Sequence, residues 1–193
     1  MKNKTFLEFL NDNIKYSIVT FEKTFEKDKY IDGFILYKKY SRKDVFRILN
    51  WKTNPLAQNV GGSIISPEKS NCPIFVNYHK SEFISNSTKY EDGFLNKFEF
   101  EWMSKSRRNL NSPDIQIIRN NNNLRLCLFV KKSNGEGDDF YYMGDMKPID
   151  ETFKLSTLKD NNNNDVSVVK VIFSMSNPVE DNIYNYITYD SIE

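Results

Sequence analysis

Cysteine and histidine are nearly missing from this chain of 193 residues, which holds only Cys72, Cys127 and the single His79. Two cysteines cannot build a disulfide framework and fall short of a four-cysteine zinc site. One histidine excludes every centre that needs a pair. Glycine is sparse, at seven residues. Gly61-Gly62 and Gly135-x-Gly137 do not form a dinucleotide fingerprint, and no G-x-x-x-x-G-K-[ST] phosphate loop occurs. His79 is followed by Lys80-Ser81, so neither H-E-x-x-H nor the H-x-K pattern of phospholipase-D-type nucleases is met. No apolar run approaches the roughly 20 residues of a membrane helix. The start, Met1 to Thr5, leads into a mixed stretch with Glu8 and not into an apolar signal core. The expectation is a soluble cytoplasmic protein without membrane contact, cofactor or metal. The chain offers little for acid–base or nucleophilic chemistry, so it is expected not to be an enzyme.

Aromatic residues, by contrast, are plentiful: 15 Phe and 11 Tyr in a chain that is 39% hydrophobic. That content excludes disorder throughout and suffices for one domain with a real core. The net charge of +1 conceals a segregation. Residues 36–132 carry +9, residues 133–193 carry −8, and residues 1–35 are neutral. A basic, aromatic middle fits a nucleic-acid surface. The alternative is that the acidic C-terminal third folds back and neutralises it.

Phe6 to Leu10 suggest a short amphipathic helix. Ser41-Arg42-Lys43-Asp44 matches a weak capping box ahead of the apolar face Val45, Phe46, Ile48 and Leu49, with Trp51 packing after the helix end. Thereafter the signal is mostly strand: Ile74–Tyr78, the alternating Phe98–Trp102, Leu124–Val130, Phe140–Met143 and Val166–Met175. Pro113 opens a second helix. Asn177-Pro178-Val179-Glu180-Asp181 reads as the start of a third, with its two acids at the positive helix end. The runs Asn120–Asn123 and Asn161–Asn164 read as turns. Many strands with few helices give an α+β chain built on a curved sheet or small barrel.

The informative stretch is Ser87 to Arg108, where Tyr90-Glu91-Asp92 precedes a strand bearing Phe100 and Trp102 and then Lys105, Arg107 and Arg108. A base pulled out of a duplex needs aromatic faces, a carboxylate to accept from an exocyclic amine, and cations for the phosphates. Tyr90 is read as a pocket wall or a packed strand-edge aromatic, Asp92 as an amine acceptor or a turn aspartate, and Trp102 as a second wall or plain core. His79, Lys80, Lys89, Lys105, Arg107 and Arg108 are the candidate contacts to the DNA backbone, with solvated surface as their alternative.

Tyr40–Val45, Asn50-Trp51, Pro73–Lys80, Thr88–Phe94, Trp102–Arg108, Phe129–Lys132, Asp139–Asp145 and Pro178–Asp181 together resemble one domain, in order, over residues 37 to about 188. It is the C-terminal domain of bacterial ATP-dependent type IV restriction helicase–nucleases of the SauUSI type, which cut DNA carrying modified cytosine. The resemblance implies an SRA-like fold, a PUA-type β-barrel flanked by short helices, spanning 37–193 after an N-terminal helical or linker segment 1–36. It implies a pocket of Tyr78, Tyr90, Glu91, Asp92 and Trp102 that takes a flipped 5-methylcytosine or 5-hydroxymethylcytosine from duplex DNA. It also implies helicase and phospholipase-D-like nuclease domains as partners. Tyr90-Glu91-Asp92 has one acid fewer than the SRA pattern, and Trp102 stands where a second tyrosine is usual, so either Glu91 or Asp92 faces the base. A protein-docking domain using the acidic 133–193 region and an RNA-binding barrel are the competing readings.

Overall fold

The computed structural model describes residues 11, 14, 29–52, 55, 62–79, 92–160 and 162–189. A short hairpin, β1 (Tyr30–Ile31) and β2 (Phe34–Ile35), precedes β3 (Lys39–Tyr40) and helix α1 (Arg42–Ile48). Then come β4 (Asn71–His79), β5 (Gly93–Asn96), β6 (Glu99–Met103), helix α2 (Pro113–Asn120), β7 (Arg125–Ser133), β8 (Phe140–Pro148), β9 (Lys154–Lys159), β10 (Asp165–Met175) and helix α3 (Asp181–Thr188). The class is therefore α+β, with one large sheet in the order β4-β7-β8-β10-β6-β5, β3 added to β8 and β9 to β10.

The hydrophobic pattern explains the layering. β4 and β7 pair in parallel, Asn71 opposite Arg125 and Val76 opposite Val130. Parallel strands covered on both faces read as continuous apolar runs. Ile74, Val76, Leu126 and Leu128 point into the main core with Phe100, Trp102, Val169 and Phe173, closed by Ile115 and Ile118 of α2 and Ile187 of α3. Phe75, Phe129, Phe140 and Tyr142 point the other way, into a second core under Val45 and Phe46 of α1. Phe34 and Leu36, which the expected linker segment 1–36 contains, are buried in that second core.

The closed barrel that the resemblance implies is not formed by backbone pairing. β4 and β5 end the two sides of the sheet, and among the described residues no ladder joins them. Tyr78 spans the seam instead. Its hydroxyl accepts the Phe94 N–H at 3.2 Å, and its ring stacks on Phe94 with centroids 6.1 Å apart. A tyrosine wedge fills a gap wider than the ~4.8 Å between paired strands, so the backbones stay apart.

Local signals explain the helices. The Ser41 hydroxyl caps α1 by accepting the Asp44 N–H at 3.1 Å. Pro113 sits in the first turn of α2. α3 begins at Asp181 and not at Pro178, because Val179 is buried and its N–H is drawn to the Lys97 carbonyl at 2.9 Å. Phe98 also departs from its expected place. It is 56% exposed and lies before β6, while Phe100 and Trp102 face inward. The Asn96 side chain accepts the Phe98 N–H at 2.7 Å and turns the chain there. The second asparagine run makes the β9–β10 turn, where Asp160 Oδ1 accepts from the Asn162 and Asn164 amides and Asn163 is left-handed at φ 63°. The helix expected over Phe6–Leu10 lies outside the described residues.

Cys72 and Cys127 are both buried and unpaired. Burial pushes the Cys72 thiol up to about 12 and holds Cys127 well above its ordinary value. A thiol so far from ionisation is inert. Ellman's reagent at pH 8 is expected to titrate neither cysteine in the folded protein and both after denaturation, and rapid native labelling would contradict this burial. No described helix is long and apolar enough to cross a membrane.

Candidate nucleic-acid interface

The basic cluster after β6 is fixed by the sheet beside it. The Ser104 N–H donates to the Val169 carbonyl, and Ser104 Oγ accepts the Val169 N–H, both at 2.8 Å. The Arg107 and Arg108 amides both donate to the Ser167 carbonyl, at 2.7 and 3.2 Å. Arg107 adopts φ 64°, a left-handed conformation uncommon for a residue with a Cβ. The two arginines therefore sit at a turn just beyond β6. Arg107 is exposed, while Arg108 Nε donates to Asp114 Oδ2 of α2 at 2.7 Å.

Lys105 and Arg108 share a cleft of about 430 Å³ with Ser63, Ile64, Ile65 and the start of α2. Lys105 forms no ion pair among the described residues. Burial first, and then the Arg108 charge, lower its pKa from the ordinary lysine value. Such a half-buried ammonium, beside a guanidinium held by one carboxylate, is suited to a phosphate oxygen.

Asp92 anchors the entry to β5 at the same edge. Its Oδ1 accepts the Met103 N–H at 2.8 Å, two residues before Lys105. Gly93 then pairs with Glu101, and Phe94 with Phe100. Trp102 is 4% exposed, and its ring meets Phe173 at 5.8 Å inside the main core. Tyr78 is half-buried at the seam; burial, opposed by its bond to Phe94, raises its phenol pKa.

The expected residues thus divide. Asp92, Lys105, Arg107 and Arg108 lie along one stretch of edge. His79 lies apart, where its Nε2–H donates to the Ile187 carbonyl of α3 at 2.8 Å. Tyr90, Glu91, Lys80 and Lys89 fall outside the described residues. The acidic C-terminal third does fold back on the basic middle in part: Arg125 pairs with Asp145, Arg119 with Asp150, and Lys97 with Asp181.

A larger cavity, about 580 Å³, opens near the C-terminal end of α2 and includes Arg119, Arg125, Asp145 and Asp150. These four charges are matched, Arg119 with Asp150 and Arg125 with Asp145. Arg125 Nε donates to Asp145 Oδ2 at 2.8 Å, and its other nitrogens reach the Ile31 and Asp32 carbonyls and the Tyr142 hydroxyl. The Tyr142 hydroxyl donates to Asp145 Oδ1 at 2.6 Å. No sequence signal marked Arg125 or Asp145, because their partners are a diagonal strand neighbour and the carbonyls of a distant hairpin.

With this geometry in view, the fold finds its likeness among proteins that act on DNA. It matches the DNA modification-dependent restriction endonuclease AspBHI with a TM-score of 0.53 and 12% identity, over 81% of each chain. The sulfur-binding and SRA domains of ScoMcrA, solved with phosphorothioated DNA, match with a TM-score of 0.46 and 7% identity over 82% of this chain and 46% of that one. No curated protein matches by sequence. The chain belongs to the family described as Domain of unknown function (DUF3427), whose model covers residues 34–187.

Proposed function

We propose that this chain is a duplex-DNA-binding module that reads a modified cytosine and does not itself cut DNA. The observation that carries the reading is the edge where Asp92 holds the Met103 amide and, just beyond it in the chain, Lys105 and Arg108 line a cleft of about 430 Å³. The likeness in fold to a modification-dependent restriction endonuclease supports it. Lys105, Arg107 and Arg108 hold the backbone, with an affinity that falls steeply with salt. A cytosine leaves the stack at the seam between β4 and β5, where Asp92 accepts from its N4 amine. Tyr90 supplies the stacking face, Glu91 is the alternative acceptor, and Tyr78 is a positioning residue that holds the seam. Trp102 lies below the pocket as core.

One buried methyl contributes only about 0.8 kcal/mol, so discrimination of 5-methylcytosine rests on pocket shape and on the cost of flipping. In a larger assembly the bound module directs helicase and nuclease domains to foreign modified DNA. That step rests on the resemblance of the sequence to the SauUSI type.

Fluorescence anisotropy with matched duplexes carrying cytosine, 5-methylcytosine or 5-hydroxymethylcytosine tests the reading. A preference for a modified duplex, lost in Asp92→Asn while nonspecific affinity remains, is the expected result. Equal binding to all three duplexes reduces the domain to a phosphate-contacting accessory, and no binding favours protein docking. In the same assay Lys105→Gln should weaken all duplexes alike and lower the slope of log affinity against log salt by about 1. An unchanged slope removes Lys105 from the interface.

A further inference from the structure

A second group of cations lies on the other side of the sheet. Lys131 of β7 faces away from the main core and is only 6% exposed. Its ammonium donates to the Gly137 carbonyl at 2.8 Å and stands 5.1 Å from the centre of the Phe140 ring. Arg42, the first residue of α1, lays its guanidinium carbon 4.6 Å from the same ring and 5.1 Å from that of Phe75. Among the described residues Arg42 forms no ion pair, and its buried Nε has no hydrogen-bond partner. Asn77, opposite Lys131 in the β4–β7 register, leaves its buried Oδ1 unpartnered as well, while its amide donates to Asn134 at 2.9 Å.

Among the described residues no acid forms an ion pair with either cation. Glu136 accepts the Lys132 N–H at 2.9 Å and the Tyr186 hydroxyl, and it stands 3.9 Å from Lys39. Asp138 is exposed and acts on both cations only through space. Burial and the Arg42 charge hold Lys131 below its ordinary pKa, and burial does the same to Arg42.

Two like charges on a partly desolvated aromatic floor are costly until an anion joins them. The guanidinium fork and the lysine point charge together suit the oxygens of a phosphate group. We propose that Arg42 and Lys131, backed by Phe75 and Phe140, form a phosphate-binding subsite separate from the Lys105–Arg108 cleft, and that it takes a backbone phosphodiester of bound duplex DNA. The diester assignment rests on the DNA-binding reading above. The same oxyanion chemistry serves free phosphate, so the test has two arms.

In the first arm Arg42→Met and Lys131→Met, which keep the aliphatic stems, are assayed by anisotropy beside Lys105→Gln. Each is expected to weaken modified and unmodified duplexes alike by about 3–10-fold and to lower the salt slope by about 1, with Arg42→Lys restoring most of the slope. If Arg42→Met changes neither quantity while Lys105→Gln changes both, the diester assignment is wrong. In the second arm the Arg42 Nε–H resonance of the wild-type protein is followed by NMR as inorganic phosphate is added. A saturable shift, lost in Lys131→Met, supports the oxyanion subsite even if the protein binds no duplex, an outcome that sinks the DNA reading alone. A resonance that phosphate does not move overturns the subsite. Thermal melts of each variant separate lost binding from lost fold.

Discussion

Trp102→Ala is expected to cost about 3–5 kcal/mol of stability, the range for removing a large aromatic from a packed core. The side chain is 4% exposed and sits among Phe100, Phe173 and the β4 and β7 residues of the main core. At roughly 2–4 °C of melting temperature per kcal/mol for a chain of this size, the midpoint should fall by about 6–20 °C, and the loss is a large share of the roughly 5–15 kcal/mol that holds a typical domain folded. Trp102→Phe keeps most of the volume. It should cost less stability and leave DNA binding intact. A Trp102→Ala protein that melts normally but loses selectivity for modified duplexes would return Trp102 to the pocket as a stacking wall.

Arg125→Ala is the second large expected effect. This one guanidinium ties together Asp145 and the Tyr142 hydroxyl on β8 and the carbonyls of Ile31 and Asp32 in the first hairpin. Removing it strands the Asp145 carboxylate and unpins the hairpin at once. Breaking a buried pair costs about 3–5 kcal/mol; the low end applies here, since Arg125 and Asp145 keep 21% and 19% of their side-chain surface in water. Lysine cannot reproduce the fork, so Arg125→Lys should recover only a fraction. Chemical denaturation read by tyrosine fluorescence checks both variants, and a loss below about 1 kcal/mol would mean that the pair behaves like an exposed surface bridge.

Much of this architecture was legible in the residues. Ser41 and Pro113 announced two helices because capping and first-turn proline are local chemistry. The apolar runs at Ile74 and Leu124 announced buried strands because both faces of β4 and β7 are covered. β9 was not legible: Lys154–Lys159 carries little apolar signal and becomes a strand by pairing with β10 from Lys154 to Lys159. The site was half legible. Asp92 and Lys105 are near in sequence and near in space, and the basic run after Trp102 reads directly. Arg42 and Lys131 could not be joined from sequence, since only the packing of α1 over β7 brings both to Phe140. The seam at Tyr78 was also hidden, because it depends on where two sheet edges fail to pair.

The order of strands has a bearing on how the protein is made. β4 leaves the first part of the chain, yet its ladder partner is β7, and everything between them, including the edge that carries Asp92 and Lys105, is inserted between two neighbours in the sheet. β6 in turn finds its central partner only in β10, with Phe100 opposite Phe173. A ribosome therefore releases the candidate DNA-reading segment long before the strands that shelter it exist. Pairings so distant in sequence are slow to close, and unpaired apolar strands invite aggregation meanwhile. Yield from cells should consequently depend on growth temperature and chaperone supply, and truncation before β10 should leave β6 without its central partner and an insoluble product.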